Sequence, residues 1–207
     1  MRYFALPITA TFLTVSACSQ AAEPTSSSQP TISSPALDMK PIGNWIVVKA
    51  DSHIKFTATQ QGKGFTGEFE NYDVLINFNE DAIDAASVVA EIDVSSISTG
   101  DEERDSTLIG TDWFNVKSIP KAVFRSDDFI KTGDKRYEAR GTLSMKDTSQ
   151  PLTLPFTLDI TGSKAEMDAE LTLDRTLWNV GAGSWATDEW VSTKVVVDIK
   201  ISAENPN

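Results

Sequence analysis

Hydrophobic and polar residues alternate along most of the chain after residue 43. At 165–173, Ala, Met and Leu alternate with Glu, Asp and Thr, and 195–203 repeats the pattern apart from Val196. Other runs of the same period lie at 45–47, 54–58, 74–78, 88–94, 137–145 and 152–160. A period of two predicts strands with one buried and one exposed face. Eight such runs joined by polar turns predict an all-β, antiparallel fold.

One segment, 101–117, does not alternate. It begins with three acidic residues, which suit the positive end of a helix dipole. We expect a short helix near 102–109 and another turn at 111–115, so that one helical insertion spans about 102–115. Its apolar residues would either plug one end of the sheet or form the mouth of a cavity, and the pattern leaves both open. These residues are Leu108, Ile109, Trp113 and Phe114.

Eight strands can close into a barrel whose interior is either filled by side chains or holds one small ligand. The inward positions mix bulky residues with small ones, and small inward residues leave space. The small ones are Ala58, Ala90, Ala139, Gly141, Ala165 and Ala169. Such a space would suit an apolar chain, although composition does not distinguish it from a packed core.

The N-terminus resembles an export signal. Arg2 is followed by an uncharged apolar run at 3–15, which is too short to span a bilayer and is typical of a secretory signal. Val15-Ser16-Ala17-Cys18 resembles a bacterial lipoprotein signal, so we expect removal of 1–17 and lipidation of Cys18, the only cysteine. The alternative is ordinary cleavage after Ala21 or Ala22.

Residues 18–42 are rich in Ser, Pro, Thr and Ala, and such a segment is expected to be a flexible linker. Residues 43–204 then form a single domain. The protein is expected to be exported, periplasmic and anchored to a membrane through Cys18. Ser19 resembles the outer-membrane sorting pattern, so the outer membrane is favoured.

The net charge argues against some partners. It is −12 for the whole chain, and falls to −13 without residues 1–17, because Arg2 is the only charge removed. Nucleic acid requires basic patches, so no nucleic-acid partner is expected. Anionic lipid surfaces also attract basic segments, which leaves the covalent lipid as the expected membrane attachment.

Several motifs together resemble the YceI-like, or polyisoprenoid-binding, family. They are 51–56 (DSHIKF) after Trp45, 67–69 (GEF), 92–100 (IDVSSISTG), Arg104-Asp105 with Leu108, 112–116 (DWFNV), 120–126 (PKAVFRS), 141–145 (GTLSM) and Asp174-Arg175. The resemblance implies an extended antiparallel eight-stranded lipocalin-like barrel, whose tunnel holds an amphiphile with a long isoprenoid or acyl tail.

A branch of this family is suggested by 178–186 (WNVGAGSWA), which resembles members found beside cytochrome b561-type membrane proteins. That likeness implies a quinone-like ligand and such a membrane protein as a partner. Two positions depart from the family pattern, since Thr107 replaces a usual His and Asp147 replaces a usual Gly. A headgroup contact through that histidine is therefore not expected.

Catalysis and metal binding have little support in the sequence. His53 is the only histidine, so a Ser-His-Asp arrangement would depend on it. The chain offers no cluster of nitrogen or sulfur ligands for a metal, and Asp101-Glu102-Glu103 is read as the start of a helix. We expect a protein that is not an enzyme and has no cofactor beyond a non-covalent isoprenoid or quinone-like lipid.

The expected function is to bind such a lipid for transport, storage or sequestration. The alternatives are a filled-barrel adaptor or stress lipoprotein acting through a protein partner and, more weakly, a hydrolase on lipid or glycan. Arg104 would either meet a headgroup or pair with Asp105 or another nearby acid. The expected ligand-binding residues are Phe56, Phe65, Phe69, Phe78, Arg104, Trp113, Phe114, Phe156, Met167 and Trp178.

Overall fold

The computed structural model describes residues 44–206. Predictions about the signal, the lipidation of Cys18 and the linker lie outside these residues. Within them, eleven strands form one sheet. The strands are β1 (Ile46–Val47), β2 (His53–Gln60), β3 (Lys63–Phe69), β4 (Tyr72–Asn77), β5 (Ser87–Asp93), β6 (Ile97–Ser98), β7 (Lys121–Gly133), β8 (Arg136–Met145), β9 (Thr148–Thr161), β10 (Lys164–Asp174) and β11 (Lys194–Glu204).

The sheet is antiparallel in the order β4-β5-β7-β8-β9-β10-β11-β2-β3-β6. The short strand β1 pairs with β11, and Trp45 just before it bridges to Ile76 of β4. The amide of Trp45 donates to the Ile76 carbonyl at 3.4 Å. The sheet therefore curls into a lipocalin-like half-barrel, and its two sides approach each other at Trp45.

The all-β prediction is confirmed, but the expected number of eight strands is too low for the described residues. The eight alternating runs all coincide with strands, whereas β3, β6 and β7 were not predicted. In β7, Ala122, Phe124 and Ser126 face one way, and a register shift between Ser126 and Asp128 then reverses the phase. The bulge hides the strand from a search for simple alternation.

The helical insertion is confirmed. Helix α1 (Glu102–Leu108) begins after Asp101, whose carboxylate accepts a hydrogen bond from the Arg104 amide at 3.0 Å. Turns follow at 109–114 and 116–118. Leu108 and Trp113 are buried, whereas 42% of Ile109 is exposed. The insertion thus packs only part of its apolar surface against the interior.

Short 3₁₀ turns complete the described structure: Lys49–Asp51, Glu80–Ala85, Val94–Ser96, Arg175–Trp178 and Gly183–Trp185. The Glu80–Ala85 turn lies at the end of the barrel where Asn77 pairs with Ser87. Helix α1 and the turns Arg175–Trp178 and Gly183–Trp185 lie at the opposite end. We call the segments 99–119 and 175–193, together with the β2–β3 and β8–β9 turns, the cap.

Candidate functional site: an apolar barrel cavity and a polar pocket in the cap

The curled sheet, called here the barrel, surrounds a cavity of about 220 Å³, the barrel cavity. Among the described residues, its wall is hydrophobic except for Ser87, and no charged side chain reaches it. A dry engineered cavity of about 150 Å³ lined by Leu, Ile and Phe binds benzene. The barrel cavity has room for a larger apolar group.

The wall extends along most of the barrel. Met145 and Phe156 both line it. Met145 is the last residue of β8, and Phe156 lies opposite Tyr137 near the start of that strand. On β8, Met145 and Tyr137 are eight residues apart, which corresponds to about 26 Å at 3.3 Å per residue. The shape suits an extended chain better than a compact ring.

Small residues account for part of this space. Ala90, Ala139 and Ala165 line the cavity, as their inward phase predicts. Gly141 was expected to leave interior space as well, but a Cβ there would collide with the carbonyl oxygen of Arg125. Gly141 instead permits the close approach of β7 at its bulge.

Aromatic rings close the end of the barrel beside the Glu80–Ala85 turn. Tyr137 stacks on Phe156 with 5.5 Å between ring centroids, and Phe78 meets Tyr137 edge-on at 5.6 Å. The Tyr137 hydroxyl donates to Glu80 at 2.6 Å. Burial raises the pKa of Tyr137, and the hydrogen bond to Glu80 raises it further. The phenol therefore remains neutral at physiological pH.

Arg175 organises the cap. Its side chain is 4% exposed, and its guanidinium lies 5.0 Å from the Trp113 ring centroid. Burial lowers its pKa, while Asp188 and Asp174 oppose that shift. The guanidinium donates to backbone carbonyls at 2.6–3.2 Å, those of Val180, Gly181, Trp185, Val191 and Ser192. One side chain thereby fixes the whole segment before β11.

Gly181 permits this arrangement. Its φ is +78°, and a Cβ at this position would collide with the Arg175 guanidinium. The amides of Gly181 and Ala182 donate to the Asp112 carbonyl at 2.9 and 2.7 Å. Lys146, in the β8–β9 turn, donates to the carbonyls of Asn179 at 2.7 Å and Thr111 at 3.2 Å. These polar contacts join the cap segments to one another.

A second space of about 220 Å³, called here the cap pocket, lies between the ends of β2 and β3, helix α1 and the segment before β11. Its wall mixes aromatic, polar and charged residues. They are Gln60, Phe65, Asp101, Glu103, Arg104, Thr107, Leu108, Trp113, Trp185 and Val191.

The ten residues expected to bind ligand separate into three groups. Phe69, Phe78, Phe156 and Met167 line the barrel cavity. Phe65, Arg104 and Trp113 line the cap pocket. Phe56, Phe114 and Trp178 line neither space.

In the third group, Phe56 lies between the two spaces and Phe114 packs beside the barrel cavity. The Phe56 ring meets Phe65 at 6.3 Å and Phe69 at 5.6 Å, and Phe69 meets Phe114 edge-on at 5.9 Å. Trp178, also expected to bind ligand, is 2% exposed, and its indole N–H donates to the Leu143 carbonyl at 2.8 Å. Trp178 thus fastens the cap to β8.

Arg104 pairs with a neighbouring acid, one of the two expected outcomes. Its partner is Asp101 at 3.5 Å, whereas Asp105 accepts hydrogen bonds from the amide and hydroxyl of Thr99 at 2.9 and 2.6 Å. Arg104 also donates to Gln60 at 3.2 Å and to the Thr99 hydroxyl at 3.1 Å. These contacts hold its guanidinium over the Phe65 ring, 4.2 Å from the centroid.

Sequence reasoning missed other wall residues. Phe129 was hidden by the bulge in β7, and Phe124 carried a signal only in the 120–126 motif. Arg175 was named only within the Asp174-Arg175 motif. A buried arginine bound solely to carbonyls leaves no charge pattern along the sequence.

His53, the residue on which a catalytic triad would depend, pairs with Asp198 at 2.5 Å. It lies on β2, at the strand end away from Gln60 and the cap pocket. Within residues 44–206, no three His, Cys, Asp or Glu side chains are grouped so that they could hold a metal ion. In the same residues, no helix has the length and hydrophobicity needed to cross a membrane.

Residues 45–203 match the model of the YceI-like domain. A UPF0312 protein of Yersinia pestis is 33% identical over 88 residues, which cover 42% of this chain and 45% of that protein. A UPF0312 protein of Pseudomonas putida is 26% identical over 144 residues, or 67% of this chain and 71% of that one. The chain thus spans less than half the length of the Yersinia relative.

Solved structures share the fold. Burkholderia cenocepacia BcnA superposes with a TM-score of 0.73 at 27% identity, covering 76% of this chain and 99% of BcnA. A polyisoprenoid binding domain from Saccharophagus degradans, implicated in plant cell wall breakdown, has a TM-score of 0.64 at 14% identity, covering 79% and 99%. The Campylobacter jejuni YCEI protein has a TM-score of 0.63 at 18% identity, covering 72% and 90%.

Proposed function

Because the chain belongs to the YceI-like domain family, with residues 45–203 matching, we propose that it binds an amphiphile with a long isoprenoid or acyl tail. The tail occupies the barrel cavity, and the protein transports, stores or sequesters the lipid without catalysing a reaction. The observation that carries this proposal is the long cavity whose wall, within residues 44–206, is hydrophobic except for Ser87.

The binding energy comes from removing the tail from water. Each buried methylene contributes about 0.8 kcal/mol, and no charged side chain of the described residues lines the cavity to favour a polar ligand. A few isoprene units are therefore enough for tight binding. Longer tails add little more, because measured affinities saturate near −18 to −21 kcal/mol. The name of the Saccharophagus degradans neighbour, a polyisoprenoid binding domain, fits the same ligand class.

We further propose that the domain works at a membrane in the periplasm, with the outer membrane favoured. Multiple acylation of Cys18 would provide the attachment, because one acyl chain binds only marginally and two are needed for stable anchoring. A quinone-like ligand and a cytochrome b561-type membrane protein as partner belong to the same proposal. The likeness of residues 178–186 to that branch supports them.

Native mass spectrometry of the protein purified without detergent, followed by lipid extraction, tests the ligand. We expect a stoichiometric co-purified amphiphile, or saturable binding of an added prenyl lipid. A barrel that is empty and binds no prenyl or acyl lipid would contradict the proposal and favour the adaptor alternative.

The tether is tested separately with Cys18→Ser in the full chain. We expect a folded domain that no longer sediments with membranes, because the chain without residues 1–17 has a net charge of −13 and no attraction to anionic lipid. Ser19→Ala, which retains the cysteine, is the matched control. Equal membrane recovery of Cys18→Ser and wild type would refute the tether.

A further inference from the structure

Strands β9 and β10 stop pairing partway along the barrel. Their ladder runs from the turn between them to the pair Thr157–Asp168. Beyond that pair, residues 151–156 of β9 and 169–174 of β10 do not pair with each other. Each strand keeps its other neighbour over this stretch, since β9 pairs with β8 and β10 pairs with β11. We call this unpaired stretch of the barrel wall the window.

Two prolines account for the window. The amide of Leu158 donates to the Lys135 carbonyl at 2.9 Å, on the β8 side, so the amides of odd-numbered residues of β9 point toward β10. Pro151 and Pro155 occupy two of these odd-numbered positions, and proline has no N–H to donate. The ladder therefore ends at Thr157, and the prolines also disfavour the addition of a strand from another protein at this edge.

The window lies directly over the barrel cavity. Leu152 and Leu154 on β9 line that cavity, as do Leu171 and Leu173 on β10. These four leucines belong to the two unpaired edges, so side chains close the cavity wall here in place of a backbone ladder. Side-chain rotation is fast, whereas a ladder opens only when its hydrogen bonds break. The window is therefore a part of the wall that can open without loss of strand pairing.

A second interruption of the pairing lies between β1 and β4, but side chains hold it closed. Among residues 44–206, strand pairing there is limited to the bridge between Trp45 and Ile76. The Asn44 side chain donates to the Phe78 carbonyl and accepts from the Phe78 amide, both at 3.0 Å. The Trp45 indole donates to the same carbonyl at 2.9 Å. Opening at this place would break these three hydrogen bonds, whereas the window has no strand pairing to break.

We propose that the window is the entrance through which a lipid tail passes into and out of the barrel cavity. The tail moves sideways between the four leucines, so neither the cap nor the aromatic rings at the opposite end of the barrel have to move. This inference rests on the function proposed above, and it names the route that the tail takes.

A chemical bridge across the window tests this route. Thr153 and Thr172 are exposed, and they face each other across the window in the register of the last β9–β10 pair. The full chain carries Thr153→Cys and Thr172→Cys with Cys18→Ser, so that the introduced thiols are the only ones. The protein is loaded with tritiated geranylgeraniol or palmitate, its thiols are joined by a short bismaleimide, and release to phosphatidylcholine vesicles is followed. We expect release to be at least about tenfold slower than from the unjoined protein, because the bridge closes the gate that the tail must pass.

Two other joined variants serve as controls. Thr172→Cys with Val196→Cys places the same bridge between β10 and β11, which pair at these residues. Ile46→Cys with Leu75→Cys places it between β1 and β4, beside their isolated pair. None of the substituted residues lines the barrel cavity. Both controls should release lipid at the rate of their unjoined forms.

Hydrogen exchange of the unmodified protein measures the window independently. The Arg175 amide donates to the Thr193 carbonyl on the β11 side, so the amides of even-numbered residues of β10 point toward β9. Glu166 lies in the ladder, whereas Glu170 and Thr172 lie in the window. We expect the amides of Glu170 and Thr172 to exchange at least about tenfold faster than that of Glu166, because unpaired amides are poorly protected.

The outcomes separate this inference from the proposed function. Release that is unchanged by the bridge across the window, or slowed only by the bridge from β1 to β4, would overturn the entrance and leave the lipid cavity intact. Equal protection of the three amides would mean that the ladder continues, and would overturn the entrance as well. Failure of the wild type to load either geranylgeraniol or palmitate would overturn the proposed function, and the entrance with it.

Discussion

The barrel and the cap hold their shapes by different means. The barrel is built from paired antiparallel strands, and among residues 44–206 its interior wall is hydrophobic except for Ser87. The cap has one short helix and two 3₁₀ turns, and hydrogen bonds from Arg175 and Lys146 to carbonyls join its segments. Apolar burial tolerates many side chains of similar volume, whereas a polar network fails when one member is removed.

The largest effect is therefore expected from Arg175→Met in the cap. The substitution fills a similar volume but leaves the carbonyls of the segment before β11 without a donor, and a buried unsatisfied group costs about 1–3 kcal/mol. We expect the free energy of unfolding to fall by about 3–5 kcal/mol. Urea unfolding followed by far-ultraviolet circular dichroism measures it.

Arg140→Met is the matched control in the barrel. Arg140 bonds Glu138 at 3.0 Å on the exposed face of β8, and exposed ion pairs contribute about 0–1 kcal/mol. Similar losses in the two variants would mean that Arg175 does not organise the cap.

The barrel is tested by overpacking. Ala139 is 1% exposed and lines the cavity, whereas Ala169 is 8% exposed and does not line it. Ala139→Phe should place its ring in the cavity, weaken binding of a prenyl lipid and change stability little. Ala169→Phe should cost about 1–3 kcal/mol, the usual penalty of a larger side chain in a filled core.

Lipid titration and thermal unfolding of both variants distinguish the two effects. If both substitutions cost the same stability, and the wild type binds no lipid, the interior is filled and the barrel resembles an ordinary core.

The two regions also differ in how far the sequence predicts them. Alternation located eight of the strands and the small residues Ala90, Ala139 and Ala165 of the cavity wall, because an inward position repeats every second residue. It failed at β7, where the bulge after Ser126 reverses the phase and hides Phe129. A bulge depends on the partner strand, as Gly141 opposite Ser126 shows, and a single strand's pattern does not contain that information.

In the cap, the sequence predicted elements but not their contacts. The acidic residues at 101–103 predicted helix α1, because acidic side chains stabilise the positive N-terminal end of a helix dipole. The hydrogen bonds from Arg175 reach carbonyls 5 to 17 residues away. Every residue has a backbone carbonyl, so the sequence does not identify these partners. The separation of the barrel cavity from the cap pocket by Phe56 was likewise not predictable, because it depends on three rings brought together from two strands.

Substitution of two buried tryptophans, Trp178 and Trp113, is expected to change stability by a smaller amount, and the two variants can be compared directly. Trp178→Phe removes a donor to the Leu143 carbonyl on β8, whereas Trp113→Phe removes an N–H that has no partner among the described residues. Both substitutions lose similar apolar area, so we expect Trp178→Phe to be more destabilising by about 1 kcal/mol. Urea midpoints measured without lipid give the difference. The reverse order would mean that the Trp113 N–H has a partner in solution.

The smallest effect concerns a charge where the barrel meets the cap. Asp174 ends β10 and accepts hydrogen bonds from the Thr176 hydroxyl at 2.6 Å and amide at 3.1 Å, and it pairs with Lys194 at 2.9 Å. The Thr176 hydroxyl, followed by Lys194, lowers the pKa of Asp174. A carboxyl group whose pKa is lower in the folded state stabilises the fold above its unfolded pKa, and that contribution is lost as the pH falls through the folded pKa.

Asp174→Asn keeps the size of the side chain and its carbonyl acceptor but removes the charge, so we expect a loss of about 0.5 kcal/mol at pH 7. The deficit should narrow as the pH falls below 3.8, the ordinary pKa of the group, because the wild-type carboxyl then becomes neutral as well. Urea unfolding of both proteins from pH 7 down to the lowest pH at which they fold measures the trend. A deficit that stays constant over this range would mean that the strand-to-cap junction depends on the shape of Asp174, and that its charge adds no stability.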